Sequence, residues 1–146
     1  MKQNIRITSV ILIFLLLAIQ DGIGQSFQDR GEIIKEYGTN FTTGTSSDGV
    51  KYLQYVTPTN SEASGTFDLV QFFYFTNLPN GKEGCYMWKI IVPSSEVNHW
   101  VSTLKHKYVE VNDMAWKDYK TNMLYVITLQ EPYCMIQAHY DFKKID

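Results

Sequence analysis

The clearest periodic signal in the chain is a stripe of apolar residues spaced three and four positions apart between residues 97 and 108. This spacing puts the stripe on one side of an α-helix, so it predicts an amphipathic helix from residue 96 to about residue 106. Residues 105–107, Lys-His-Lys, fall in the last turn, where positive charge favours the helix dipole. The stripe consists of Val97, Trp100, Val101, Leu104 and Tyr108.

A second helix is predicted nearer the start of the chain, over residues 26–37. Ser26 and Asp29 have the spacing of a capping box, in which each side chain binds the other residue's backbone N–H. Gly38 follows the segment directly, where a glycine commonly ends a helix. Gly31 in the interior weakens this helix by about 1 kcal/mol relative to alanine.

The first half of the chain also contains three segments rich in Val, Tyr and Phe, which are typical of strands. Residues 77–81, with Pro79 and Asn80-Gly81, predict the turn of an antiparallel hairpin between the second and third of these strands. Residues 39–49 and 58–66 are polar and without periodicity, and they are predicted to be loops. The three strands are predicted at residues 50–57, 67–76 and 85–92.

The second half continues as a meander of short strands separated by polar turns. Each half therefore reads as a helix followed by strands, which suggests a tandem α-β-β-β repeat. The expected fold class is α+β, with a six-stranded, mostly antiparallel sheet and both helices on one face. The meander strands are predicted at residues 108–111, 114–119, 123–129 and 133–142.

The first 24 residues have the features of a secretory signal peptide. Lys2 and Arg6 precede the apolar run VILIFLLLAI, and Gly22 and Gly24 supply small residues at the two positions that a signal peptidase reads. The alternative is a membrane anchor, which needs about 20 apolar residues. A run of that length would take in Arg6 or the polar pair that follows the apolar segment, at a cost in hydrocarbon.

We therefore expect cleavage after Gly24 and a single domain over residues 25–146. The expected location is secreted or periplasmic, without a stable membrane span once the signal is removed. No cysteine lies near the cleavage site, so lipid attachment there is not expected.

Composition narrows the class of partner. The chain carries a net charge of −2, and its basic residues form no cluster of the kind that grips nucleic acid, so no nucleic-acid partner is expected. No glycine-rich phosphate loop or dinucleotide motif is present, and no cofactor is predicted. Ten tyrosines and eight phenylalanines are typical both of a half-buried sheet and of a binding surface.

The two cysteines, Cys85 and Cys134, leave a disulfide open. Cys134 alternates with Ile136 and Ala138 on the predicted core face of the last strand, whereas Cys85 alternates with Met87 on the other face of its strand. This alternation separates the two sulfurs. A β-bulge at the strand end could turn Cys85 toward the core, so both outcomes remain open.

No arrangement of residues predicts a metal site or a catalytic nucleophile. His99 and His106 lie about 10.5 Å apart along a helix and cannot share one ion. Glu96 and His99 lie on one helical face without an evident third ligand, and a solvated helix face explains them. Ser94 and Ser95 lack the surroundings of a nucleophilic serine and are explained as helix caps.

The remaining candidate is a recognition surface on the outer face of the last strand. Such a surface favours an exported, non-enzymatic binding domain for a protein, peptide or envelope component, with the two polar loops beside it. The alternative function is a small extracytoplasmic hydrolase or isomerase with its site under loops 39–49 and 58–66. The candidate binding residues are Tyr133, Met135, Gln137 and His139, extended by Asp141, by Met87 and Lys89, and by Tyr125 and Ile127.

Overall fold

The computed structural model describes residues 27–78 and 80–141. Two helices lie in this part of the chain, α1 (Arg30–Tyr37) and α2 (Val97–Lys107), and a single 3-10 turn at Ser94–Glu96 leads into α2. Eight strands form one antiparallel sheet. They are β1 Thr42–Thr45, β2 Lys51–Ser61, β3 Gly65–Asn77, β4 Glu83–Pro93, β5 Val109–Asn112, β6 Ala115–Asp118, β7 Met123–Gln130 and β8 Tyr133–Tyr140.

The strand order across the sheet is β1-β2-β3-β4-β8-β7-β6-β5. Each half of the chain is a helix followed by a four-stranded meander, and the two meanders meet where β4 pairs with β8. The α+β class and the antiparallel sheet are confirmed. The predicted number of six strands was wrong: β1 was missed, and each of the seven segments predicted as strands, including those at 108–111 and 114–119, contributes a strand to the sheet.

Strand β1 lies within the segment predicted as the 39–49 loop. Its sequence, Thr-Thr-Gly-Thr, contains no large apolar residue, so hydrophobic alternation could not reveal it. The strand forms because β2 offers a free edge, and Gly44 pairs with Tyr52 there. A Cβ at Gly44 would overlap the Tyr52 ring, so the glycine lets the ring lie flat across the edge strand.

The 58–66 segment was also predicted as a loop, and most of it is strand. Strand β2 continues through Pro58 to Ser61, and β3 begins at Gly65, so three residues remain for the turn. Pro58 is exposed and pairs with Asp68 without ending the strand. Of the two loops under which the alternative function placed a catalytic site, the 58–66 segment is therefore largely strand and the 39–49 segment contains strand β1.

Helix α1 begins one turn later than the sequence predicts. Asp29 is its N-cap, and the Asp29 carboxylate accepts a 2.9 Å hydrogen bond from the backbone N–H of Glu32. The Glu32 carboxylate accepts one in return from the Asp29 N–H, also at 2.9 Å. The capping box is therefore Asp29 with Glu32, while Ser26 lies outside the described residues. Gly38 ends the helix with a positive φ of 88°.

Both helices pack on the same face of the sheet, as predicted. Ile33 of α1 packs with Leu53 and Phe73, and Leu104 of α2 packs in a cluster that contains Ile90. The strand register aligns Phe73 with Trp88, and Trp88 lies two residues from Ile90 on β4. Because alternate residues of a strand face one side, the two clusters share a face, and Trp88 contacts both.

Strand β4 contains a β-bulge that changes the face of the sheet on which Cys85 lies. Tyr74 pairs with Met87 and Phe75 with Cys85, so Tyr86 is an extra residue in β4. The bulge turns Cys85 onto the helix face, where it packs against the cluster around α1. The sequence analysis had left open whether a β-bulge would turn Cys85 toward the core, and it does.

The disulfide is nevertheless not formed, and both cysteines are free. Cys134 pairs with Val92, which lies seven positions along β4 from Cys85. At about 3.3 Å per residue the two Cα atoms are roughly 20 Å apart, and a disulfide needs less than about 7 Å.

Neither described helix has the length and apolarity needed to cross a membrane. The signal peptide expected at residues 1–24 lies outside the described residues, and so do Gln25 and the last five residues of the chain.

Candidate binding surface

The four residues predicted on the outer face of the last strand all lie on the side of the sheet opposite the helices, which we call the distal face. Their neighbours Cys134, Ile136 and Ala138 have no exposed surface and point into the core. Strict alternation along β8 therefore puts the candidates together on the other side. Those on the distal face are Tyr133, Met135, Gln137 and His139.

The register extends this surface across both halves of the sheet in three cross-strand rows, each named after a residue in it. The His139 row contains Tyr52, Tyr74, Met87, His139, Leu124 and Lys117. The Lys89 row contains Gln54, Phe72, Lys89, Gln137, Val126 and Ala115. The Ile91 row contains Val56, Val70, Ile91, Met135 and Thr128.

The rows have distinct chemistry, which determines what they can contact. The Ile91 row is aliphatic apart from its terminal threonine, and Val56 in it is 47% exposed. The Lys89 row combines two amides with an aromatic ring and an ammonium group. Tyr133, the first residue of β8, is 57% exposed and extends the surface beyond the Ile91 row.

Three aromatic side chains form a cluster on the distal face that the sequence analysis missed. The Tyr52 ring centroid lies 5.4 Å from that of Phe72 and 5.5 Å from that of Tyr74. Phe72 and Tyr74 stack with an interplanar angle of 27°. The run FDLVQFFYFT hides this cluster, because it is aromatic on both faces and its alternation does not say which face is buried.

Lys89 lies near the middle of the distal face, between Phe72 and Gln137. Its side chain is half-buried, and its Nζ lies 5.2 Å from the centroid of the Tyr74 ring, within cation–π range. The described residues bring no carboxylate within 4 Å of this Nζ.

The exposed Asp48, on the turn between β1 and β2, lies close enough to respond to Lys89. The pKa of Asp48 is lowered, chiefly by a hydrogen bond from the Ser46 hydroxyl and to a smaller extent by the Lys89 charge. The Asp48 carboxylate is thus held by the turn at the rim of the distal face.

An ion pair lies at the other end of the surface, where the His139 row reaches β6. Lys117 is 7% exposed, and its Nζ pairs with Asp141 at 2.5 Å. Between this pair and Lys89, the Gln137 amide nitrogen lies 3.4 Å from Nδ1 of His139.

Tyr125 and Ile127 do not belong to this face: both are buried in the core under α2, so their inclusion in the surface was wrong.

A polar cluster lies apart from this surface, where the β2–β3 turn meets the start of α2. Glu96 is 7% exposed, and its Oε1 accepts hydrogen bonds from the hydroxyls of Ser61 and Ser64. The hydroxyl oxygens of Ser64 and Ser95 lie 2.5 Å apart. The interpretation of Glu96 as part of a solvated helix face was wrong because the long hairpin, predicted as a loop, covers it. His99 is exposed.

The thiols and histidines form no reactive group in the part of the chain that the structure describes. Burial raises the pKa of Cys85 to about 12 and also raises that of Cys134, with a smaller contribution from Glu96. Both thiols therefore stay protonated at neutral pH. No set of three or more His, Cys, Asp or Glu side chains in residues 27–78 and 80–141 is placed to hold a metal ion.

Neither a protein-family model, nor a curated protein, nor a solved structure matches the chain.

Proposed function

We propose that the protein is an exported, non-enzymatic binding domain that engages a protein, peptide or envelope component through the distal face. The observation that carries the proposal is the surface itself. Residues of both halves of the sheet meet there in continuous rows of aromatic, methionine, amide and aliphatic side chains, on the side that neither described helix occupies.

The composition of this face supports binding. Tyrosine and methionine are enriched at protein interfaces, and aspartate and glutamate are depleted there. The rows named above contain two methionines and two tyrosines and no carboxylate. Methionine side chains adapt to the shape of a partner, which suits a surface that lies on a rigid sheet.

The proposal predicts that partner capture depends on the distal face. A protein with the double substitution Tyr133→Ala and His139→Ala is used as bait against the exported fraction of its own cells. Loss of about 1 kcal/mol per contact residue would lower affinity roughly fivefold for each substitution. A partner recovered by the unmodified protein should therefore be strongly depleted, as quantitative mass spectrometry would measure.

The matched control carries Ser102→Ala and His106→Ala, two exposed positions of α2 on the other side of the sheet. This variant should recover the partner at the unmodified level. Equal recovery by the distal-face variant and by the control would refute the proposal, provided that both variants keep the melting temperature of the unmodified protein.

A further inference from the structure

We infer that the distal face binds an extended segment of a partner protein that carries an aspartate or glutamate next to apolar side chains, with Lys89 as the anchor for the carboxylate. The inference rests on the proposed function and names the chemistry of the partner.

The ammonium group of Lys89 has no carboxylate within ion-pair distance among the described residues. Other basic side chains have carboxylate partners: Arg30 pairs with Glu83 at 2.9 Å, and Lys117, at the end of the His139 row, pairs with Asp141. Lys89 is half-buried on an inner strand, with the face of the Tyr74 ring beside its ammonium group and the Asp48 carboxylate acting on it only from beyond ion-pair distance. Such a group has three donors, and a carboxylate is the acceptor that gives the strongest hydrogen bonds with it.

The second observation is the chemistry on either side of Lys89. Gln137 is the neighbour of Lys89 on β8 and can bind a backbone amide or the second carboxylate oxygen, and Gln54 offers a second amide on the far side of Phe72. The next row along β4 is aliphatic and centred on Ile91, with Val70 and Met135 beside it. Aliphatic side chains complement apolar residues of a peptide and offer nothing to the hydroxyl groups of a sugar, which favours a protein segment over an acidic glycan.

The spacing of Lys89 and Ile91 along β4 matches that of alternate side chains in an extended peptide. Lys89 and Ile91 are two residues apart on one strand, which corresponds to about 6.6 Å. Alternate side chains of an extended peptide repeat at the same distance. A peptide segment lying along β4 can therefore place its acidic side chain over Lys89. The side chain two positions further along the peptide, which points the same way, then lies over Ile91.

The test uses a random library of twelve-residue peptides displayed on phage and selected against the purified protein. The enriched peptides should share an aspartate or glutamate with an aromatic or aliphatic residue two positions away. For the best synthetic peptide, measured by fluorescence polarisation, Lys89→Met should weaken binding by about tenfold or more. Lys89→Arg should keep most of the affinity because it keeps the charge.

Two matched controls accompany these variants. Lys51→Met removes an exposed lysine from β2, at a position that alternates with Leu53 on the helix side, and it should leave the affinity unchanged. A peptide in which the acidic residue is replaced by its amide should bind the unmodified protein as weakly as the original peptide binds the Lys89→Met protein.

The remaining outcomes separate the two proposals. Peptides that need Tyr133 and His139 but tolerate Lys89→Met, or that lack acidic residues, would overturn the role of Lys89 and leave the binding surface standing. Peptides that bind with full affinity to every distal-face variant would overturn both proposals. Binding of alginate that requires Lys89, with no acidic peptide enriched, would assign the site to an anionic glycan and overturn the inference of a protein segment.

Discussion

Replacing Trp116 with alanine is expected to lower the free energy of unfolding by about 3–5 kcal/mol. Trp116 is 1% exposed and lies in the core beneath α2 with Tyr125 and Leu104. Its removal takes a large apolar side chain out of the core and leaves a cavity that a sheet cannot readily close. Urea denaturation followed by circular dichroism would measure the change.

Trp116→Phe provides the control for this prediction. The indole Nε1 of Trp116 is buried and finds no hydrogen-bond acceptor among the described residues. Phenylalanine keeps most of the apolar contact and removes the unpaired donor, whose burial is costly. The Phe variant should therefore lose less than half as much stability as the Ala variant. Equal losses would show that Trp116 is not packed as described.

Replacing Glu96 with alanine is expected to cost about 2–4 kcal/mol, because the hydroxyls of Ser61 and Ser64 would lose their shared carboxylate acceptor in a buried place. The loss should also release the tip of the β2–β3 hairpin from the start of α2. Hydrogen exchange should then speed up at residues 59–67 more than at the centre of the sheet, and mass spectrometry of peptic fragments would measure this.

Two further variants calibrate the Glu96 prediction. Glu96→Gln keeps an oxygen acceptor of the same shape and should cost less than Glu96→Ala. Glu62→Ala removes an exposed carboxylate from the same turn and should change the stability by less than about 0.5 kcal/mol. If Glu96→Ala were as mild as Glu62→Ala, the polar cluster would contribute nothing to holding the hairpin.

Most of the fold could be predicted from periodicity, and the failures have a common physical origin. The amphipathic stripe found α2, and the apolar alternation found β3, β4 and β8, because in each case burial on one side imposes a period on the sequence. Strand β1 and the outer parts of β2 and β3 carry no such period. Their Thr, Ser, Asn and Gly residues become strand because a neighbouring edge satisfies their backbone hydrogen bonds, which is a tertiary effect.

The candidate surface, too, could be predicted from the sequence only where burial imposes a period. Alternation along β8 was sufficient to place Met135 and His139 on the distal face, because the residues that alternate with them are all small or apolar. The cluster around Tyr52 was beyond reach, because it depends on the pairing of β2 with β3 and on a glycine in β1. Tyr125 was misplaced because tyrosine is compatible with either face of a strand.

The asymmetry between the two faces of the sheet connects the fold to the proposed function. Both helices cover one face and provide the apolar core there. The distal face carries a half-buried lysine, two amides and a histidine, groups whose burial in the core would be costly.

The central claim is that a partner contacts the distal face, and site-specific photo-crosslinking in the native exported protein tests it most directly. The photoreactive amino acid p-benzoylphenylalanine would replace Tyr133 on the distal face or, in a separate protein, His106 on α2; both positions are exposed. We expect a covalent adduct with one defined partner from position 133 and none from position 106. An adduct from position 106 and none from position 133 would contradict the assignment of the binding surface.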